Sequence, residues 1–202
     1  MAVNNLGELR TLVKDWSNRT DISNSVIDSF INIAQDRANR ILRLPILEGF
    51  STITVTNNTL LLPSDYLEVK SLTVVVNGKS IELERKDLAF VTKQQNNQGI
   101  PKYFARKQSK FIIGPSSDVS SADLYYYYVA DNLVDDIDSN WFVEYGTDLL
   151  LYGALSELAL YTKNTEEALQ YEAKFKATAT DLIKMAEDAD WSGSTISIIP
   201  TR

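Results

Sequence analysis

The stretch DLLLYGALSELALYTKN, from Asp148 to Asn164, decides the fold because it is apolar on almost every side when it is drawn as a helix. A helix at the surface of a globular protein usually carries its apolar residues in a stripe on one side. A helix that is apolar all round is normally buried by its neighbours. We therefore predict that this stretch belongs to a long helix, capped by Asn140, that other helices cover.

Three further helices are predicted around this one. The first spans about residues 5–16, where leucine, valine and tryptophan recur at steps of three and four. The second begins at Ser25, which has capping-box spacing to Asp28, and ends before Pro45. The last spans about residues 164–190 and begins with another capping pair, so we expect the four helices to pack together.

Between the two pairs of helices the apolar period changes to two residues, which is typical of β-strands. The pairs Asn57-Asn58 and Asn77-Gly78 can occupy the positive-φ positions of tight turns, and β-branched segments flank both, so we predict two hairpins. Further strands are predicted at Lys110–Ile113 and Leu124–Val129. The polar segment Lys93–Gly99 is predicted to be an exposed loop.

The order of elements predicts an α+β fold. Two N-terminal and two C-terminal helices would form a four-helix bundle-like core, residues 1–49 and 136–190, with an inserted antiparallel β domain, residues 50–135.

Residues 191–202 would form an extended C-terminal arm. The arm contains SGSTISIIPTR, in which β-branched residues follow a Ser-Gly hinge. Such a segment can add a strand to another chain, and a frayed tail is the alternative.

Composition excludes several kinds of chemistry. The 202 residues include no cysteine and no histidine, which excludes disulfides, thiolate metal sites and the commonest general base. The formal net charge of −7 makes a broad basic surface for nucleic acid unexpected. No apolar run approaches the roughly 18 residues that span a bilayer. We expect a protein without a cofactor or a membrane segment, made and used in the cytosol or in a structure assembled there.

Carboxylates are the remaining route to catalysis. Glu82 and Glu84 lie two residues apart on a predicted strand and could serve as acid and base in glycoside hydrolysis, as in a cell-wall hydrolase. Their alternating Ile-Glu-Leu-Glu sequence is more simply the solvent side of a half-buried sheet. The acidic segment Asp131–Asp138 lacks the spacing of a calcium loop and is interpreted as a solvated connector. We therefore assign no catalytic residue and no metal ligand.

Four consecutive tyrosines, Tyr125 to Tyr128, lie on a predicted strand, and alternation places two on each face. Ordinary sheet packing explains at least half of them. The others could contact a neighbouring subunit, since tyrosine is enriched at interfaces, or stack on sugars in a carbohydrate-binding module. Our candidates for a subunit interface are Tyr126, Tyr128 and Trp141.

Several stretches, taken in order, resemble the head-to-tail adaptor, or head-tail connector, proteins of tailed bacteriophages. They are ELRTLVKDW at Glu8–Trp16, FINIAQDRANRILR at Phe30–Arg43, LPSDYLEVKSL at Leu62–Leu72, GIPKYF at Gly99–Phe104, DLLLYGALSELALYTKN at Asp148–Asn164 and YEAKF at Tyr171–Phe175. None is a catalytic signature, so the specificity of the resemblance lies in their order and spacing over nearly the whole chain.

This resemblance implies a non-enzymatic structural protein of the virion, located in the head-tail connector region and assembled in the host cytoplasm. It implies a ring of twelve copies below the portal that extends the DNA channel, lets DNA pass without specific binding and receives tail or nozzle proteins. It also implies a C-terminal extension that engages the portal. The portal or partner interface candidates in the arm are Ser194, Ile196, Ile198, Ile199 and Arg202.

Overall fold

The chain is α+β, and a computed structural model describes its residues 3–191. Its contacts divide it into two units. The helical unit contains the chain up to Pro45 and from Ala130 onward, and the β unit contains Ile46–Val129. The five candidate residues of the arm lie outside the described residues.

Six α-helices are present in the described part of the chain, together with a 3-10 turn at Pro45–Leu47. In chain order they are α1 (Leu6–Ser17), α2 (Asn24–Ile41), α3 (Leu88–Gln94), α4 (Trp141–Tyr145), α5 (Thr147–Tyr161) and α6 (Thr165–Trp191). Over residues 3–191, none of the helices has the length and apolar character needed to cross a membrane.

Asparagine side chains cap the starts of α1 and α6, and the cap of α6 is the one that the sequence predicts. The Oδ1 atom of Asn5 accepts a hydrogen bond from the backbone N–H of Glu8 at 2.9 Å. At α6 the side chain of Asn164 accepts from the backbone N–H of Glu167 at 3.3 Å and donates to the carboxylate of Glu167 at 2.6 Å. Both caps satisfy backbone donors that the first helical turn leaves without a partner.

The predicted capping box of α2 is wrong. The helix begins at Asn24, so Ser25 lies inside it and Ser23 occupies the cap position. Asp28 instead accepts a hydrogen bond from Nε of Arg10 at 2.6 Å. A charged partner on another helix binds this carboxylate more strongly than a backbone N–H would, and sequence spacing alone does not reveal that partner.

The single long helix predicted after Asn140 is two helices. Asn140 caps α4, its Oδ1 accepting from the backbone N–H of Val143 at 3.2 Å. The chain then leaves helical geometry at Gly146, with φ −121° and ψ 30°, and α5 begins at Thr147. A Cβ atom on Gly146 would lie 3.3 Å from the carbonyl oxygen of Phe142, so glycine allows the close turn between the helices.

Helix α5 is covered by its neighbours, as predicted. It packs against α1, α2 and α6, and its leucines at 149, 150, 151, 155 and 158 are buried. The closest approach occurs at Gly153, where a Cβ atom would lie 2.6 Å from the Cβ of Ala34 on α2 and 3.1 Å from the ring of Phe175 on α6. The absence of a side chain at Gly153 therefore sets the spacing of these three helices.

The β unit contains eight strands in one sheet. They are β1 (Glu48–Thr56), β2 (Thr59–Leu61), β3 (Tyr66–Val76), β4 (Lys79–Glu82), β5 (Glu84–Arg85), β6 (Tyr103–Lys107), β7 (Lys110–Gly114) and β8 (Ser121–Tyr128). The strand order is β4-β3-β8-β1-β2-β7-β6-β5. All neighbours are antiparallel except β5 and β6, which are parallel.

The two ends of this sheet meet, so the sheet is a nearly closed barrel. Only Leu83 separates β4 from β5, the terminal strands of the order. The backbone N–H of Leu83 donates to the carbonyl of Leu72 at 2.8 Å, and that of Glu84 donates to the carbonyl of Lys102 at 2.8 Å. This near-closure joins the two ends of the sheet and surrounds an apolar core. The largest fully buried side chains of this core are Leu60, Leu72, Phe111, Ile113 and Leu124.

Both predicted hairpins are confirmed, because Asn57, Asn58, Asn77 and Gly78 all have positive φ angles between 50° and 75°. Strand β6 was missed. Two buried residues, Phe104 and Ala105, are followed there by two exposed ones, so the strand lacks the alternation that identifies a half-buried strand.

Candidate assembly surfaces

Exposed apolar side chains on α2, α5 and α6 adjoin one another. The exposed fractions are 53% for Leu160, 62% for Tyr161 and 66% for Leu169. The ring of Phe30 on α2 lies 5.6 Å from that of Tyr161, and Leu160 and Leu169 line one shallow pocket of about 260 Å³. Scattered exposed apolar residues are ordinary, but a contiguous group marks an interaction surface. We call the following set the helical patch: Phe30, Leu160, Tyr161 and Leu169.

An ion network borders the helical patch. Arg37 donates to Glu157 at 3.1 Å and also bonds to Glu172, and its guanidinium lies 4.4 Å from the ring centroid of Phe175. Burial favours a raised pKa for Glu172, but the hydrogen bond and charge of Arg37, together with Lys176, outweigh burial and lower that pKa. The network connects α2, α5 and α6, so it fixes the helices on which the patch lies.

Replacing Glu172 with glutamine should destabilise the protein at pH 7 and have little effect at pH 3. The lowered pKa means that the carboxylate stabilises the folded state above the unfolded-state value of 4.5, and that this contribution is lost as pH falls through the folded-state pKa. We expect a difference of at most about 1 kcal/mol at pH 7, measured by urea unfolding of both proteins at several pH values. An equal difference at pH 3 would contradict this account, and in an Arg37→Met background the difference at pH 7 should shrink.

A second ion cluster fixes the acidic connector, residues 131–138. Arg10, which is buried, contacts Asp28 at 2.6 Å and Asp136 at 2.8 Å, and its pKa is raised, first by the hydrogen bond to Asp28. Asp138 accepts backbone N–H bonds from Asp135 and Val134, each at 2.8 Å, and these two bonds lower its pKa. The carboxylates of Asp136 and Asp138 are thus engaged by protein donors. Over residues 3–191, no group of three or more carboxylates is arranged to hold a metal ion.

The tyrosine strand β8 divides between the inside and the outside of the barrel. Tyr126 is only 6% exposed, and its hydroxyl bonds to Asp65 at 3.2 Å. Tyr128 is half-buried, and its hydroxyl donates to the carbonyl of Ile46 at 3.2 Å. Most of the Tyr126 ring is therefore buried inside its own barrel, and little of its surface is accessible to a second subunit. The interface role of both residues stays a prediction.

Tyr125, which sequence reasoning did not single out, is the most exposed tyrosine of β8. Its ring lies 4.8 Å from that of Phe50 on β1, and the two residues are directly paired in the sheet. Both rings are about half exposed. Such an aromatic pair on a barrel surface suits contact with another protein.

Trp141, the third candidate for a subunit interface, is half-buried at the start of α4. Its ring stacks on that of Tyr145 at 6.3 Å, and Tyr145 is 70% exposed. The buried ring of Phe142 lies edge-on to that of Trp141, with the ring centroids 5.4 Å apart. The interface role of Trp141 stays a prediction, and Tyr145 is the more accessible partner in this pair.

Glu82 and Glu84, the carboxylates considered for hydrolysis, flank the point where the barrel closes. Leu83 between them is buried, whereas both glutamates are exposed. Glu84 pairs with Lys86. This alternation is that of the solvent face of a sheet.

Comparison with models of protein families identifies the family that the chain resembles. The family model described as SU10 adaptor protein matches residues 4–197, which is nearly the whole chain. A search of curated proteins found no match.

Proposed function

The chain belongs to the SU10 adaptor protein family, and from this premise we propose that it is a structural protein joining head to tail in a tailed-phage virion. It assembles as a homo-oligomeric ring of twelve copies below the portal, extends the DNA channel and receives tail or nozzle proteins. The match over residues 4–197 is the observation that carries this proposal, because it includes both the helical unit and the β unit.

In the proposed ring, the helices form a bundle-like core that presents the helical patch to the neighbouring subunit. Burial of Leu160, Tyr161 and Leu169 contributes apolar area, and ring contacts of this kind resemble a domain core more than a transient interface. The ion network of Arg37 lies at the border of the patch, where polar groups commonly surround an apolar centre.

The proposal assigns no reaction to the protein, and DNA passes through the channel without specific binding. The net charge of −7 supports this, since acidic walls do not hold phosphate groups. The alternatives of a cell-wall hydrolase and a carbohydrate-binding module gain no support from the contacts. Glu84 is paired with a lysine, and Tyr126 is buried within the barrel.

The arm supplies the contact with the portal or with another partner in the ring, and its candidate residues are Ser194, Ile196, Ile198, Ile199 and Arg202. Replacing Ile196 and Ile198 together with aspartate should prevent co-sedimentation of the chain with purified portal rings. Charges on the apolar face of an added strand cannot be buried without a large cost.

The matched control replaces Thr195 and Ser197 with aspartate, because these residues alternate with the isoleucines and lie on the other face of an extended strand. This control should keep at least part of the binding. Equal co-sedimentation by both double variants and the wild type would remove the arm from the proposal.

A further inference from the structure

One edge of β1 is open in the otherwise nearly closed barrel. On one side, residues Glu48–Thr54 pair along their whole length with β8. On the other side, β1 pairs with β2 only at Val55 and Thr56, next to the hairpin turn. Within residues 3–191, no strand pairs with the second edge of Glu48–Thr54.

The register determines which backbone groups face this open edge. The N–H of Val55 donates toward β8, to the carbonyl of Ser120 at 2.8 Å, and Thr56 closes the hairpin with Thr59. Successive residues of a strand direct their backbone N–H and C=O groups to opposite sides. In β1 these groups point toward β8 at the odd-numbered residues and away from β8 at the even-numbered residues. The N–H and C=O groups of Thr52 and Thr54 therefore face the opening.

A groove of about 800 Å³ lies along this edge. Its walls come from β1 on one side and from β2 and the following turn on the other, and they are mostly hydroxyl-bearing and aliphatic. The lining residues include Thr52, Ile53, Thr54, Leu61, Leu62 and Lys110. Lys110 is the one charged residue of this lining. A groove of this composition, with a free strand edge, favours an extended and uncharged β-branched segment.

The chain itself contains such a segment. Residues 194–199 read STISII, carry no charge, and span about 20 Å when extended, close to the length of the open edge. Alternation would place Ile196 and Ile198 on the side of Ile53, whose side chain is partly buried against the barrel core, and Thr195 and Ser197 on the exposed side of Thr52 and Thr54.

We propose that the β1 groove of one copy receives residues 194–199 of a second copy as an added strand. This inference rests on the proposed ring and adds a second contact between neighbours to that of the helical patch. The surface that donates the strand differs from the surface that accepts it, so the contact is heterologous. Contacts of this kind form a closed ring when the rotation from one copy to the next adds up to a full turn.

The absence of cysteine from the chain makes a direct test possible. One preparation carries Thr54→Cys in the groove and a second carries Ser197→Cys in the arm, and the two are mixed, assembled with purified portal rings and oxidised. Paired residues of adjacent strands have Cα atoms roughly 4.5–5.5 Å apart, within the range that a disulfide bridges. We expect a linked dimer on a non-reducing gel. A Val75→Cys preparation, exposed on β3 of the same barrel, is the control and should not link.

A second pair of variants tests the strand addition itself. Thr52→Pro removes one of the N–H groups that face the groove, whereas Thr52→Val keeps it, and both lose the hydrogen bond from Thr52 to Asp123. In the Thr54→Cys background, the proline variant should link at least about fivefold less than the valine variant.

The mass of each assembled sample separates the two proposals. A ring that forms without any linked dimer overturns the groove as the site of the arm and leaves the adaptor function standing. A further sample carries both cysteines in one chain. If a disulfide forms in that sample but not between the two mixed preparations, the groove does not bind the arm of a second copy. Equal linkage by the proline and valine variants would also exclude the groove as the site of the arm. If no ring forms with the portal, the proposed function fails and this inference fails with it.

Discussion

Replacing Leu169 with lysine should abolish ring assembly on the portal while changing the free energy of unfolding of the isolated chain by less than about 0.5 kcal/mol. Leu169 is 66% exposed, so the folded chain gains little from its burial. In the proposed ring the same side chain is covered by a neighbour, and central apolar contacts of this kind contribute about 2 kcal/mol or more each. The loss recurs at every contact in the ring.

The control for this prediction is Met185→Lys on the same helix. Met185 is 61% exposed, which is close to the value for Leu169, but it is not part of the helical patch. The Met185 variant should assemble like the wild type, as measured by light scattering of each variant mixed with portal rings. Normal assembly by Leu169→Lys would exclude the helical patch as the ring contact.

Replacing Gly153 with valine should lower the free energy of unfolding by about 3 kcal/mol, a fall in Tm of about 6–12 °C. The new Cβ would lie 2.6 Å from the Cβ of Ala34, a distance at which one of the two helices must move. Neither Cβ is at the end of a flexible side chain, so the strain cannot be relieved by rotating a bond. Thermal unfolding followed by circular dichroism measures the effect.

A double variant isolates the cause of this loss. Ala34→Gly removes the atom nearest to the new side chain, so it should recover part of the stability of Gly153→Val, although glycine in a helix costs about 1 kcal/mol by itself. We expect a favourable coupling of about 1 kcal/mol or more between the two positions. Additive effects would show that the helices are not held apart by this contact.

The elements governed by local rules could be predicted from the sequence. The caps at Asn140 and Asn164 each depend on a backbone N–H three residues further on, and the two hairpin turns depend on Asn and Gly at positive φ. The burial of α5 by other helices could also be predicted, because apolar residues lie on nearly all sides of this helix and no polar face remains for contact with solvent.

Features that depend on distant pairs could not be predicted. Asp28 has the spacing of a cap but bonds to Arg10, and barrel closure at Leu83 depends on the pairing of β5 with β6, which follows only after α3 and a loop. The break between α4 and α5 at Gly146 was hidden because both helices are rich in apolar residues, at 141–143 before the break and at 149–151 after it. Local patterns contain no information on which remote group will compete for a given side chain.

The assembly surfaces also combine features that the sequence predicts with features that depend on distant pairs of residues. The tyrosine strand was recognised from composition, but which of its residues face outward depends on register, and Tyr125 rather than Tyr126 presents its ring to solvent. The helical patch combines residues from three helices, and the ion network of Arg37 joins those helices from one side. Neither grouping can be read from the sequence before the helices are packed.

The mass of the purified chain mixed with its cognate portal ring, measured by native mass spectrometry and compared with that of each component alone, tests the central claim most directly. The account predicts a complex whose added mass corresponds to a ring of about twelve chains, with one mass rather than a distribution. A chain that keeps its own mass in the presence of the portal would contradict the adaptor function.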